Sequence, residues 1–329
     1  MTTREHCAGL DAVDPLADFR ARFALPDNVI YLDGNSLGAL PKAAAERARG
    51  VIDEEWGAGL IRSWNDADWM ALPFKTGDKI ARLIGAGAGE VVASDSTSVN
   101  LFKLLSAAFA LRPERRVLLT DSDNFPTDNY IAEGVGEFLG PRVERRVVAA
   151  DEILAAIDSD TAVVSLTQVN YRSGLIHDMA RISAAATAAG ALSLWDLSHS
   201  AGAIAVDLNG AGADLAVGCG YKYLNGGPGA PAFMFVAERH QQAIRQPVSG
   251  WMGHAAPFEF AGAFRPAPGI GRMLSGTPQV VALSLLDSSL DILVEAGMGA
   301  LRTKSLALTE LFISLIEQKC SGQGLELLS

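Results

Sequence analysis

Between residues 117 and 236 the chain alternates short apolar, β-branched runs with Ala-rich stretches, and this alternation restricts the fold more than any other feature. Val117–Thr120, Val143–Ala149, Ala162–Val169, Ala191–Asp196, Leu215–Gly220 and Ala232–Val236 read as strands. Ser98–Leu111, Asp151–Ile157 and Met179–Ala189 repeat apolar residues at a spacing near 3.6 and read as helices. Strands that are apolar along almost their whole length have no solvent face, so both sides of their sheet must be covered. The order of the runs therefore predicts an α/β fold with a mostly parallel central sheet and helices on both faces. Ligands of such sheets bind beyond the carboxyl ends of the strands. That rule singles out Asn124–Asp128, Thr167–Tyr171, Asp196–His199 and Gly220–Gly227, the most polar or Gly-rich turns of the chain.

The flanks divide the remainder. Asp33 to Gly38 is a turn-prone stretch between an extended Val29–Leu32 and a helix expected after Pro41, and it reads as an N-terminal arm. After Thr277-Pro278 two long amphipathic helices are expected, with apolar faces at Leu283–Leu293 and Leu301–Ile316. The expected division is an arm with part of a small lobe over 1–45, a large domain over 46–282 and the start of a C-terminal small lobe over 283–329. For 329 residues with 49% hydrophobic and 20% charged, global disorder is excluded and two packing units are expected. The net charge of −11 is spread along the chain, which disfavours nucleic acid and anionic membranes and favours a small-molecule substrate. The charge-free apolar stretches are shorter than a membrane span. Arg4, Glu5 and His6 lead into polar and acidic residues where a secretory signal would be apolar, so a cytoplasmic location is expected. Cys7, Cys219 and Cys320 are too widely spaced for a CxxC metal cluster and read as free thiols; no metal site is expected.

The chemistry concentrates where a strand over Leu215–Gly220 runs out through Tyr221 and Lys222 into Leu224-Asn225-Gly226-Gly227. A lysine leaving a buried strand end is poorly hydrated. Desolvation favours its free amine, a nucleophile able to form a Schiff base with an aldehyde. Taken alone it reads more readily as a lysine snorkelling from a strand end. A second strand ends in Asp196, followed by Ser198 and His199. A carboxylate there can hold a pyridine nitrogen protonated, though by itself Asp196 could be a helix cap and His199 a satisfied core histidine. Ser96-Thr97-Ser98 opens a helix whose free N–H groups and hydroxyls suit an anion, or simply cap it. Asn124-Phe125-Pro126-Thr127-Asp128 offers an aromatic face and an acid, or is a plain Pro-containing loop.

The four elements together resemble the large domain of pyridoxal phosphate enzymes with the aspartate aminotransferase fold (fold type I). The resemblance narrows with Tyr31-Leu32-Asp33-Gly34-Asn35-Ser36-Leu37-Gly38, Asn124–Asp128, Asp196–His199, Gly220–Gly227 and Gly250-Trp251-Met252-Gly253-His254. With these, nearly the whole chain resembles the kynureninases of bacterial type. The resemblance implies pyridoxal 5'-phosphate held through Lys222, with Tyr221, Thr97 and Ser98 on the phosphate and Asp196 on the pyridine nitrogen. It implies that Phe125 stacks on the ring, that Pro126, Thr127 and Asp128 complete that wall, and that Thr167 and His199 line the polar edge. Trp251 and Thr277 would come from the other subunit of a homodimer, and Asn35, Ser36 and Trp64 would face the substrate.

The implied reaction is hydrolysis of L-kynurenine to anthranilate and L-alanine, a step of tryptophan catabolism, with Tyr221 as a proton donor. Animal members that prefer 3-hydroxykynurenine carry a His before the segment matching Thr76-Gly77-Asp78 and an Asn before the Pro matching Pro278. Here those places hold Trp64, Asn65 and Thr277, which predicts a preference for kynurenine. Family members continue into a C-terminal stretch with a carboxylate-binding Arg, and the sequence stops before any such motif, so an incomplete chain is expected. One rival reading is a cysteine desulfurase or selenocysteine lyase, which needs a nucleophilic Cys on a mobile, partly exposed loop. Another is a pyridoxal-phosphate-binding dimer without turnover.

Overall fold

Period-two burial builds the sheet. Along Phe233–Val236, Phe233 and Phe235 enter one apolar cluster while Met234 and Val236 enter a second on the opposite face. Along Leu215–Gly218, Ala216 joins the first cluster and Leu215 and Val217 the second. Removing such side chains from water contributes roughly 1.5–3 kcal/mol for each Phe or Leu, which is why these runs have no polar face. The structure, a computed structural model, describes residues 2–325 and Leu327.

Seven strands form one sheet: β1 (Val91–Ala93), β2 (Val117–Asp121), β3 (Glu144–Val148), β4 (Thr161–Thr167), β5 (Leu192–Asp196), β6 (Leu215–Gly218) and β7 (Phe233–Val236), in the order β1-β7-β6-β5-β4-β2-β3. β7 runs antiparallel to both of its neighbours, and the other pairs are parallel. The helices, in chain order, are α1 (Arg4–Ala12), α2 (Lys42–Arg49), α3 (Ser63–Asp66), α4 (Leu72–Leu83), α5 (Thr97–Leu111) and α6 (Pro126–Leu139). They continue with α7 (Ile153–Ala156), α8 (Met179–Ala189), α9 (Glu238–Gln241), α10 (Val280–Ala296) and α11 (Met298–Lys319). Leu101, Leu104 and Phe109 of α5 cover one face of the sheet, and Ile80 of α4, Ile182 of α8 and Leu286 of α10 cover the other. The mixed α/β fold with a mostly parallel, doubly covered sheet is as expected. Among the described residues no helix is long and apolar enough to cross a membrane.

Three differences from the sequence reading have local causes. Asn124–Asp128 is only partly a loop: Pro126 is the first residue of α6, its fixed φ suiting that position, and the helix runs on to Leu139 before Gly140 turns at φ 80°. β1 is three residues long, too short for a two-residue period to register in sequence. The apolar face of Leu283–Leu293 is not bare, because α10 lies on α2 and α4 with Leu283, Leu286 and Leu290 buried; α11 has no buried residue.

The parallel strands put the ends of β1, β2, β4, β5 and β6 on one edge of the sheet. The N-terminal arm crosses the same edge, where Gly38 N donates to Tyr221 O at 2.8 Å. A Cβ on Gly38 would lie 2.2 Å from Lys222 O, so only glycine lets the arm come this close.

Candidate active site

Lys222 leaves β6 four residues after Gly218 and is 8% exposed, which for a lysine requires local partners. Its Nζ lies 2.7 Å from His199 Nε2, 5.6 Å from the centre of the Phe125 ring and 5.8 Å from that of Tyr221. The turn that carries it is closed by Asn225 N donating to Lys222 O at 3.0 Å and Gly226 N to Gly220 O at 2.9 Å, with Asn225 at φ 57°. Burial, and after it the neighbouring Lys222 charge, push the His199 imidazolium below its usual range. The imidazole beside Nζ is thereby held neutral and able to accept a proton.

Asp196 closes β5 and is buried. Ser198 N and Oγ both donate to its Oδ1, at 2.8 and 2.6 Å. Asp128, in the first turn of α6, comes within hydrogen-bonding distance of Asp196. Burial, and after it the Asp196 carboxylate, hold the Asp128 carboxyl well above the usual carboxylate range.

Phe125 presents its ring edge to Tyr171 at 5.2 Å. The buried Asn124 ties the ends of β2 and β4 to the start of α6: its Oδ1 accepts from Thr167 N at 3.1 Å and from Phe125 N at 2.9 Å, and its Nδ2 donates to Thr120 Oγ1. Thr167 Oγ1 donates to Val169 O at 3.1 Å, so its hydroxyl is engaged by its own turn. Asn124 and Tyr171 fell inside turns singled out in the sequence, but their side-chain roles did not show there because both depend on contacts between loops.

A cavity of about 670 Å³ opens beside Tyr221, lined also by Ser36, Asp95, Ser96, Thr97, Cys219 and Gly229. Ser96 caps α5, its Oγ accepting from Val99 N at 3.4 Å. The N–H groups of Thr97 and Ser98 stand in the first turn, where a helix has no acceptors of its own for them. Thr97 lines the cavity; Ser98, next to it in sequence, and Thr127, in the first turn of α6, are half-buried. Asn35 is exposed on the arm while Ser36 reaches the cavity wall.

Trp64 and Trp251 lie elsewhere. Their rings meet edge-on at 5.8 Å and, with Ile61, Asn65, Phe258 and Phe260, line a separate, largely apolar cavity of about 660 Å³. Thr277 is exposed. None of these three lines the cavity beside Tyr221.

The donor set fits pyridoxal phosphate. Lys222 supplies a buried amine, Asp196 and Asp128 a buried acid pair in need of a cationic partner, Phe125 a flat apolar face, and the start of α5 an anion site at one end of the same edge. Residues 30–323 match the Aminotransferase class-V family. Kynureninase from Burkholderia pseudomallei (strain 1106a) is 54% identical over the full length of this chain and 80% of its own. Kynureninase from Pseudomonas fluorescens is 53% identical with the same coverage. The chain belongs to the kynureninase family of class-V aminotransferases. Pyridoxal phosphate is the cofactor of that family.

Solved structures share the kynureninase fold at low identity. A cysteine desulfurase from Thermococcus onnurineus NA1 superposes with a TM-score of 0.75 and 17% identity over 92% of this chain and 76% of that one. A C-DES variant with glycine covalently linked to its pyridoxal phosphate gives 0.71 and 16% over 84% and 74%. Desulfurase chemistry does not transfer with that fold. Cys219 is buried and burial pushes its thiol up, the opposite of what a nucleophilic cysteine needs.

Proposed function

We propose that this kynureninase-family chain hydrolyses L-kynurenine, breaking the bond between Cβ and Cγ to give anthranilate and L-alanine. The observation that carries the reading is the buried Lys222 amine, held between neutral His199 and the Phe125 ring on the sheet edge that also bears Asp196. When bound, pyridoxal phosphate supplies an electron sink for the negative charge that bond breaking leaves on the substrate. Lys222 would hold the cofactor through its amine, and the same Nζ would serve as the base for the Cα proton of the substrate. His199 orients Nζ and accepts the proton that an ammonium must release before it can act as a base. Asp196, its Oδ1 fixed by Ser198, keeps the pyridine nitrogen protonated, and Asp128 steadies that carboxylate. Phe125 stacks on the ring and, with Pro126, Thr127 and Thr167, bounds the pocket. Tyr221, Thr97 and Ser98 would hold the phosphate, and Tyr221 would return a proton to Cβ.

The sites are completed in a homodimer, with Trp251 and Thr277 reaching the partner's phosphate end. Because Trp64 touches Trp251, it travels with it. Trp64 then forms part of the aryl wall of the partner's site, and Asn35 and Ser36 of the arm flank the substrate. The test is to load purified protein with pyridoxal phosphate and add kynurenine. Anthranilate fluorescence with equimolar alanine is expected, and a cofactor-loaded protein that yields neither defeats the proposal in favour of a binding protein without turnover.

A further inference from the structure

Lys103 is the one wholly buried lysine side chain among the described residues, sits in the middle of α5 and has no part in the reaction just described. Its Nζ donates to Asp95 Oδ2 at 2.7 Å and to Met273 O at 3.0 Å. Asp95 is 25% exposed in its side chain and lines the 670 Å³ cavity together with Ser96, Thr97 and Tyr221. A carboxylate in the wall of an anion site is unfavourable in itself, since like charges at short range repel strongly where water is scarce.

We propose that Lys103 is a positioning residue for the phosphate end of the cofactor site, neutralising Asp95 from inside the protein and fixing the turn that aims the start of α5 into the cavity. The inference rests on reading that end as the phosphate site.

The turn needs fixing. Asp95 sits at φ 52°, a left-handed conformation that a residue with a side chain adopts only when its surroundings hold it there. Four contacts do so. Lys103 Nζ and Ser94 Oγ donate to Asp95 Oδ2, Ala232 N donates to Asp95 O at 2.9 Å, and the buried Asn100 Nδ2 donates to Ser94 O at 2.9 Å. Lys103 is the only charged member of this set. It is also the one that reaches Met273, four residues before Thr277, so it joins the turn to the segment that leads to the partner's site. Burial pushes the Lys103 ammonium below its usual range and Asp95 opposes that shift, as expected of a pair whose two charges depend on each other. Asp95 is thus the anchor of the turn and, unpaired, would be a repulsive charge for a phosphate.

The experiment compares Lys103→Met and the double variant Asp95→Asn/Lys103→Met with the unaltered protein. Each is prepared without cofactor, checked by thermal melting, and titrated by absorbance with pyridoxal phosphate and, separately, with pyridoxal, which lacks the phosphate. Binding of pyridoxal phosphate to the unaltered protein tests the cofactor reading itself; the variants test only Lys103. In Lys103→Met the Kd for pyridoxal phosphate is expected to rise about tenfold or more while that for pyridoxal changes less than about twofold. The double variant, with neither charge, is expected to return to within about threefold of the unaltered protein. Equal weakening for both ligands, no weakening, or a double variant as weak as the single one overturns the proposal. If Lys103→Met does not fold, Lys103→Gln takes its place in the same two titrations, and the same outcomes uphold or overturn the proposal.

Discussion

Asp128, in the first turn of α6, lies within hydrogen-bonding distance of Asp196 at the end of β5, so that two buried carboxyl groups stand side by side. Such a pair is unfavourable without a cation to face, and Lys222 is the cationic group whose charge pulls Asp128 back toward ionisation. The site is therefore charged in advance for a protonated ring nitrogen.

This relationship gives the cofactor-free protein a pH signature. In the unfolded chain Asp128 titrates near 3.8, and in the folded protein well above it. The folded state then binds a proton that the unfolded state lacks. The stability linked to this group is fully present below the unfolded value and is lost as pH rises through the raised folded value, at up to about 1.4 kcal/mol per pH unit. Asp128→Asn removes the titration, so its melting temperature should gain on that of the unaltered protein as pH climbs from 4. A constant difference from pH 4 to 8 would show that the Asp128 carboxyl is not raised.

Lys222→Ala should remove the visible absorbance of cofactor joined to the protein and lower kynurenine turnover about 10³-fold or more. Among the described residues no other lysine stands at a strand end beside a Gly-rich turn. Retention of the band would mean that another amine holds the aldehyde.

Asp196→Ala should keep part of its cofactor yet lose about 10²–10³-fold in kcat, because an unprotonated ring is a weak electron sink. Near-normal kcat would reduce Asp196 to the turn-forming role that its bonds from Ser198 N and Oγ already give it.

Trp251→Ala should weaken cofactor retention although Trp251 does not line the cavity beside Tyr221 of its own chain. Mixing Trp251→Ala with Lys222→Ala subunits should recover up to about a quarter of the activity for freely exchanging dimers, since one site in each mixed dimer is intact. Mixtures as inactive as the separate variants would refute shared sites.

Kynurenine should be preferred to 3-hydroxykynurenine, as measured by kcat/KM. The cavity lined by Ile61, Trp64, Asn65, Trp251, Phe258 and Phe260 offers one amide among apolar walls. A wall with so few hydrogen-bonding groups discriminates weakly, whereas one built to bind a hydroxyl rejects the analogue without it strongly. A clear preference for the hydroxylated substrate would show that other residues line the aryl pocket.

The strand pattern, the parallel sheet and the turns that carry Lys222, Asp196 and Phe125 were legible because they depend on local periodicity and on the rule that ligands meet strand ends. The start of α6 inside Asn124–Asp128 was less so, since a proline reads equally as a loop residue and as the first residue of a helix.

Tertiary structure alone decided which side chains meet. Lys222 with His199, Asp128 with Asp196 and Lys103 with Asp95 join residues 23, 68 and 8 positions apart. A charged residue within the apolar run Leu101-Phe102-Lys103-Leu104-Leu105 signals only that some partner is needed. The sequence determined the residues and the sheet edge on which they gather. Their pairing, the neutrality of His199 and the raised Asp128 follow from desolvation, which acts only once the chain has closed around them.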